Sequence, residues 1–223
     1  MDTPVHNFLT PVSKIFETRG SIGYAQRMAR PRKFDREEAL DKALDLFWSH
    51  GFEATTMSDL QRELGIGRQS LYTTFGDKHQ IFAEALDRYV TSADAMLADR
   101  FGPSAGVEAI RAHLHFGAQT LTSGDRRGCL VMNTCIELAP HDEGARLLTN
   151  RHLSALRAHF ESAIETSRER GELGPSGDTT AEAMQLVTLG AGMAVLARAG
   201  ATLDELVCVA DNALASLEKT CQA

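Results

Sequence analysis

Residues 56–75, TMSDLQRELGIGRQSLYTTF, constrain the fold more than any other stretch of this chain. The pattern predicts two short helices joined by a tight glycine turn. Thr56 is placed to cap the first helix, with Asp59 at the third helical position, so that each side chain can take the other's free backbone N–H. Met57, Leu60 and Leu64 then share one face at helical spacing. Gly65 ends the helix, because glycine enters the left-handed conformation without steric cost. Ile66 is the apolar residue that plugs the gap between the helices. A second helix starts at Gly67 and runs to about Phe75, with Leu71 and Phe75 facing inward at i and i+4. Arg68, Gln69, Ser70, Tyr72 and Thr73 are left outside. Arg and Gln are the side chains best suited to bidentate contacts with guanine and adenine, while Ser, Thr and Tyr suit phosphate oxygens. An ordinary helical hairpin with a polar face would show the same pattern, so the flanking sequence decides.

Upstream, FDREEALDKALDLFWSHGFEATT predicts a helix capped by Asp35, with an apolar stripe of Leu40, Ala43, Leu44 and Phe47 and a stop at Gly51. Downstream, GDKHQIFAEALDRYV starts another helix, with Asp77 as cap and Ile81, Phe82, Ala85 and Tyr89 at helical spacing. Three helices followed by a long fourth, with the runs LFWSHGFEATTM and GIGRQSLYTTFGDK, resemble the TetR/AcrR family of transcriptional regulators over about residues 33 to 93. The FDREEALDKALDLFWSHGFEATT opening resembles that of a branch that includes a copper-responsive repressor. The family usually carries Ile-Ala where this chain has Leu60-Gln61, so Gln61 is expected to point outward or to shift the packing slightly.

The resemblance implies an all-α fold of about nine helices. Residues 33–93 would be a three-helix helix-turn-helix (HTH) DNA-binding domain, and residues 94–223 a helical ligand-binding and dimerisation domain. On this reading Arg68 and Gln69 meet base edges, and Thr56, Tyr72 and Lys78 hold phosphates. The partners expected are a palindromic double-stranded operator, a second copy of the chain and a small-molecule inducer. The inducer would sit among the helices between about 104 and 199 and displace the helix over residues 77–100. No cofactor, no resident metal, no enzymatic activity and no membrane partner are expected, and the location expected is the bacterial cytoplasm at the nucleoid. Two competing classes are an enzyme and a ligand-carrying helical bundle with no DNA role. No glycine-rich phosphate loop and no GxSxG sequence supports the first.

Charge has to be reconciled with a DNA role. The chain carries a net charge of −7, whereas DNA-binding domains are usually basic. Positive charge is instead local: Arg30, Arg32, Lys33 and Arg36 precede the first helix, and Arg68 and Lys78 mark the reader. The acidic excess lies mainly in residues 94–223, where it need not face phosphate. Residues 1–27 show neither a helical pattern nor a signal peptide. MARPRKFDREEAL from Met28 looks like a natural start, so residues 1–32 are expected to be an arm, disordered or upstream of that start. No run of about 18 uncharged apolar residues is present.

Beyond residue 93 the pattern stays helical. GCLVMNTCIELAP is apolar on most sides and predicts a buried helix closed by Pro140. The helix after it carries Leu148, Leu153, Leu156, Phe160 and Ile164 on its apolar face, with His141, His152 and His159 expected on a solvated one. An apolar pocket is expected from Leu114, Phe116, Met132, Phe160 and Met184, with Asn133 to orient a ligand. The last helix repeats Leu203, Leu206, Val207, Ala210, Ala213, Leu214 and Leu217 at 3-4 spacing, beside a helix rich in Gly and Ala. Leu203, Leu206, Val207, Ala210, Leu214 and Leu217 are the expected dimer interface.

Cysteines stand at 129, 135, 208 and 221. The resembled repressor has two in a run similar to GCLVMNTC, so Cys129 and Cys135 are candidate thiol or metal sensors. Six residues along one regular helix place two sulfurs roughly 120° apart, so they could not chelate one ion from a single helix. A structural role, as buried small side chains, is the alternative.

Overall fold

The computed structural model describes residues 34–175 and 177–219. The expected N-terminal arm, the start at Met28 and the basic residues Arg30, Arg32 and Lys33 lie outside the described residues. Among the described residues there are nine helices and no strand: α1 Arg36–His50, α2 Met57–Leu64, α3 Arg68–Phe75, α4 Lys78–Arg100, α5 Val107–Thr122, α6 Leu130–Glu137, α7 Glu143–Glu169, α8 Thr179–Arg198 and α9 Leu203–Lys219.

Local sequence signals set the first four helices. Asp35 caps α1 by accepting the backbone N–H groups of Glu37 and Glu38. Thr56 and Asp59 form the expected capping box on α2, and Gly65 closes it at φ 65°, ψ 24°. Asp77 and Gln80 build a second box at the start of α4. Ala39, Leu40, Ala43, Leu44 and Phe47 of α1 meet Leu60, Leu64, Ile66, Leu71, Phe75, Ile81, Phe82 and Ala85 in one buried cluster. Each large side chain in it contributes about 1.5–3 kcal/mol through burial. Gln61 is half-exposed and leaves this packing intact.

The boundary expected at residue 93 falls inside α4, which runs unbroken to Arg100. The first cluster also takes in Leu130, Val131 and Leu138 around α6 and Ala145 of α7, so the core under the reader is completed by later helices. A second cluster holds Leu97, Phe101, Ile110, Leu114, Phe160, Ile164, Leu186, Met193, Leu206, Ala210 and Leu214.

Three expectations change here. The short helix α6 is not buried all round: Leu130, Val131 and Thr134 are, but Ile136 is 71% exposed. His152 is buried with Nδ1 2.7 Å from Asp94 Oδ1, and His159 stacks on Phe101; of the three histidines expected on a solvated face, only His141 is exposed. The apolar stripe of α9 turns into its own subunit. Leu206, Ala210 and Leu214 are almost fully buried, Val207 and Leu217 pack against the same cluster, and only Leu203 is exposed. The reason is α5, whose face of Ile110, Leu114 and Ala118 needs cover and receives it from α9. A 3-4 stripe marks a face to be buried and does not say against what.

The helix α8 is long and apolar enough, by length and composition, to cross a membrane. Its composition has a different use within this fold. Ala183, Leu186, Val187, Met193, Ala194 and Ala197 are buried in the subunit, while the opposite face presents Met184, Val195 and Leu196.

Candidate nucleic-acid interface

The reader is the exposed side of α3, mounted on α2 through the Gly65 turn. Leu71 and Phe75 anchor α3 inward, and Arg68, Gln69, Ser70, Tyr72 and Thr73 all stand exposed, as their spacing predicts. Among the described residues, the side chains of Gln69 and Ser70 hold no hydrogen bond and Arg68 has no acidic partner. Arg68 lies 5.8 Å from the Tyr72 ring centroid, one turn along the same face. That contact orients the guanidinium without using its N–H fork, which stays available for a base edge.

The remaining expected contacts are already engaged. Thr56 Oγ1 donates to Asp59 Oδ2 and accepts from the Asp59 N–H, and the Thr56 N–H also goes to Asp59. Those bonds from Thr56, with the Arg62 pair, hold the Asp59 carboxyl down to about 2. Thr73 Oγ1 donates to the Gln69 carbonyl. Lys78 is half-buried: its ammonium donates to the Phe52 carbonyl at 3.1 Å and lies 4.1 Å from the Phe52 ring centroid. It braces the loop between α1 and α2 rather than standing free in solvent.

Sequence reasoning missed the ties between this reader and the rest of the chain. The Glu137 carboxylate, at the end of α6, accepts the backbone N–H groups of Phe52 and Glu53 at 3.0 and 2.9 Å. Trp48 of α1 donates to the Gly128 carbonyl at 3.0 Å, and Arg127 stacks over Trp48 while pairing with Asp45. The same segment is held from the other side, where Arg198 at the end of α8 donates to the Arg127 carbonyl and Arg126 donates to the Ala201 carbonyl. Residues 126–137 therefore bridge the reader and the α8–α9 turn. No local pattern marks such partners, which are about 80 residues apart in the chain.

Glu137→Ala is expected to lower stability by about 1–3 kcal/mol, because two N–H groups lose their acceptor and Phe52 lies in the core. Glu137→Gln, which keeps one acceptor oxygen, should lose less. Urea denaturation of both variants checks this; equal stability of wild type and Glu137→Ala would mean that water replaces the carboxylate at no cost.

The cysteines and the expected pocket are placed differently from the sequence reading. Cys129 is the residue before α6, outside the helix, so the single-helix geometry does not apply to the pair. Its sulfur accepts from the Tyr89 hydroxyl at 3.7 Å. Burial pushes the Cys135 thiol up. Among the described residues no group of three or more His, Cys, Asp or Glu side chains is arranged to hold a metal. Leu114 and Phe160 are core residues of the second cluster, Met132 packs on the first, Asn133 donates to the Arg127 carbonyl, and Met184 is exposed on α8. These five are spread over both clusters and the outer face of α8. The sixth expected pocket residue, Phe116, has the charged Arg100 3.7 Å from its ring centroid.

A helix-turn-helix reader on a short helical scaffold, tied to a larger helical body, defines a DNA-binding transcriptional regulator. Residues 39–85 match the family described as bacterial regulatory proteins, tetR family, and residues 106–208 match the tetracyclin repressor-like C-terminal domain. The chain is 37% identical over 190 residues to the HTH-type transcriptional repressor ComR of Escherichia coli K12, covering 83% of this chain and 90% of that one. It is 31% identical to the regulator YezE of Bacillus subtilis, over 86% of this chain and all of the relative. Among solved structures, the TetR family regulator CifR in complex with a 26-base-pair operator is similar at 28% identity and TM-score 0.74, over 84% of this chain and 99% of that one. The chain belongs to the TetR family.

Proposed function

We propose that this regulator is a repressor, that it binds a palindromic double-stranded operator as a homodimer, and that a small-molecule inducer releases it. The observation that carries the DNA reading is the exposed face of Arg68, Gln69, Ser70 and Tyr72 on a helix whose other face is locked into the core. Arg68 and Gln69 read base edges, and Ser70 and Tyr72 reach phosphates. Thr56, Thr73 and Lys78 act mainly through the scaffold that aims them. The repressor name of ComR and the operator bound to CifR support the same reading. A cytoplasmic location follows from it.

Two readers must lie about 34 Å apart to enter successive major grooves, so a dimer is required. The face proposed for it is the outer side of α8 with the adjoining side of α9: Met184, Gly192, Val195 and Leu196, with Cys208 and Val209. All are exposed in the single chain, and an open groove of about 440 Å³ at the α8–α9 turn runs between Leu196 and Val209. Apolar side chains on a helix otherwise built for a core are the support for a second copy as their partner.

Arg68→Ala is expected to lose operator preference, with a cost of about 1–3 kcal/mol at the position it reads. Lys78→Ala should weaken binding to all DNA similarly, because the loop that it braces through the Phe52 carbonyl and ring loosens under the reader. Competition gel shifts against unrelated DNA measure both. Unchanged preference in Arg68→Ala removes it from base reading.

The inducer acts through α4, whose first turn lies in the reader and whose last lies against α5 and α7. A thiol or metal trigger at Cys129 and Cys135 is the competing switch. The raised Cys135 thiol weighs against it, because a protonated thiol is the poorer nucleophile. Release of the operator by thiol reagents, lost in the Cys129→Ser, Cys135→Ser double variant, would favour the cysteines instead.

A further inference from the structure

Where α4 ends and α5 and α7 pass it, the side chains of Arg100 and His113 lie against aromatic rings, and neither holds a hydrogen bond to a carboxylate among the described residues. Arg100 lies over the Phe116 ring, and its Nε is buried with no hydrogen-bond partner among the described residues. Its sequence neighbour Asp99 attracts it only at longer range, and burial pulls the guanidinium below its ordinary value. One residue on, the Phe101 ring packs 5.5 Å from the His113 ring and 5.4 Å from that of His159. His113 also meets Phe160 at 5.7 Å, and its Nδ1 is buried and unpaired. The nearby carboxylate, Asp94, is taken by His152 at 2.7 Å and approached by Arg151 at 3.8 Å.

Arg100 Nε and His113 Nδ1 are therefore unsatisfied within the described residues. Buried donors and acceptors without partners are rare and call for an explanation. Burial, with Arg100, His152 and His159 as like-charged neighbours, holds the His113 imidazole down to about 4, so it is neutral at pH 7. Three aromatic rings line these groups, Phe116 beside Arg100 and Phe101 and Phe160 beside His113, and flat rings suit a flat apolar body. An arginine fork presented beside aromatic walls is a good receptor for a planar acid, since the two parallel N–H groups match a carboxylate.

We propose that the inducer is a small organic carboxylate with a planar apolar body, its carboxylate held by Arg100 and His113 and its body against Phe101, Phe116 and Phe160. This rests on the inducer reading above and names the chemical class. Arg100 leaves the Phe116 face to take the carboxylate, and the ligand's body takes over that ring contact. The site grips the last turn of α4. Its 23 residues extend about 34 Å, back to the reader, so a shift at Arg100 is delivered where the spacing of the two readers is set.

The test uses the full chain and matched probe pairs: benzoate with benzamide, and 1-naphthoate with 1-naphthamide. Isothermal titration calorimetry measures binding, and anisotropy of a fluorescent operator duplex measures release. A carboxylate should bind about tenfold or more tightly than its amide, and Arg100→Gln should remove that difference. His113→Phe, which keeps the ring volume, should weaken the acids and not the amides. A circular-dichroism melt of each variant separates loss of the site from loss of the fold, and the acid–amide comparison on the wild-type chain stands without any variant. Equal binding of acid and amide, or of acids to wild type and Arg100→Gln, overturns the proposal, as does failure of every acid to bind. If amides release the operator as well as acids do, the inducer reading survives and the anion is rejected. If acids bind with the expected preference and operator affinity stays fixed, the anion site survives and its role as trigger is rejected.

Discussion

Replacing Val195 and Leu196 together by glutamate is expected to give a folded monomer whose operator affinity has fallen by about 10²–10⁴-fold, the loss that follows when two linked readers become independent. Both side chains are about half-exposed in the single chain, at 51% and 49%, so the subunit itself does not need them. Four glutamates around a two-fold axis would be desolvated against like charge, which a dimer cannot offset. Leu206→Glu should behave differently. Leu206 is 1% exposed and packs within the cluster formed with α5, so a charge there unfolds the body instead of separating subunits. Light scattering and circular dichroism distinguish the two outcomes. A Val195→Glu, Leu196→Glu protein that remains a dimer would take this face of α8 out of the interface.

Phe47→Ala should cost about 3–5 kcal/mol, the range for removing a fully buried aromatic side chain. Phe47 has no exposed surface, meets Phe82 edge-on at 5.0 Å and lies 6.2 Å from Phe52. It fastens α1 to α4 and to the loop that Glu137 and Lys78 brace. Against a total of about 5–15 kcal/mol for a natural domain, such a loss leaves the reader scaffold marginal. DNA binding should fail even though no contact to DNA has been touched. Urea denaturation gives the stability and a gel shift the binding. A loss under about 1 kcal/mol would mean that the neighbouring rings collapse into the space.

The two substitutions differ in how well sequence could foresee them. The place of Phe47 in the core follows from helical spacing between a capping aspartate and a terminating glycine, all within 17 residues. The place of Leu206 does not. Its stripe was as consistent with a partner subunit as with α5, and the exposed apolar residues of α8 are hidden in a composition that reads as apolar throughout. His152 and Arg100 make the same point for the ligand-binding body. The spacing puts His152 on a solvated face and marks nothing at Arg100, yet one is buried against Asp94 and the other stacked on Phe116.

What the sequence by itself determined is the reader: its caps, its Gly65 turn, its inward Leu71 and Phe75 and its outward Arg68 and Gln69. These depend on interactions within about four residues, where backbone geometry allows few alternatives. Tertiary structure alone decided which face of α8 and α9 stays free, that Glu137 and Arg127 clasp the reader, and that Arg100 lies on Phe116 while His113 packs on Phe101 and Phe160. Those outcomes turn on pairings between residues far apart in the chain, chosen by how well whole helix faces fill one another's grooves, and no local pattern encodes that choice.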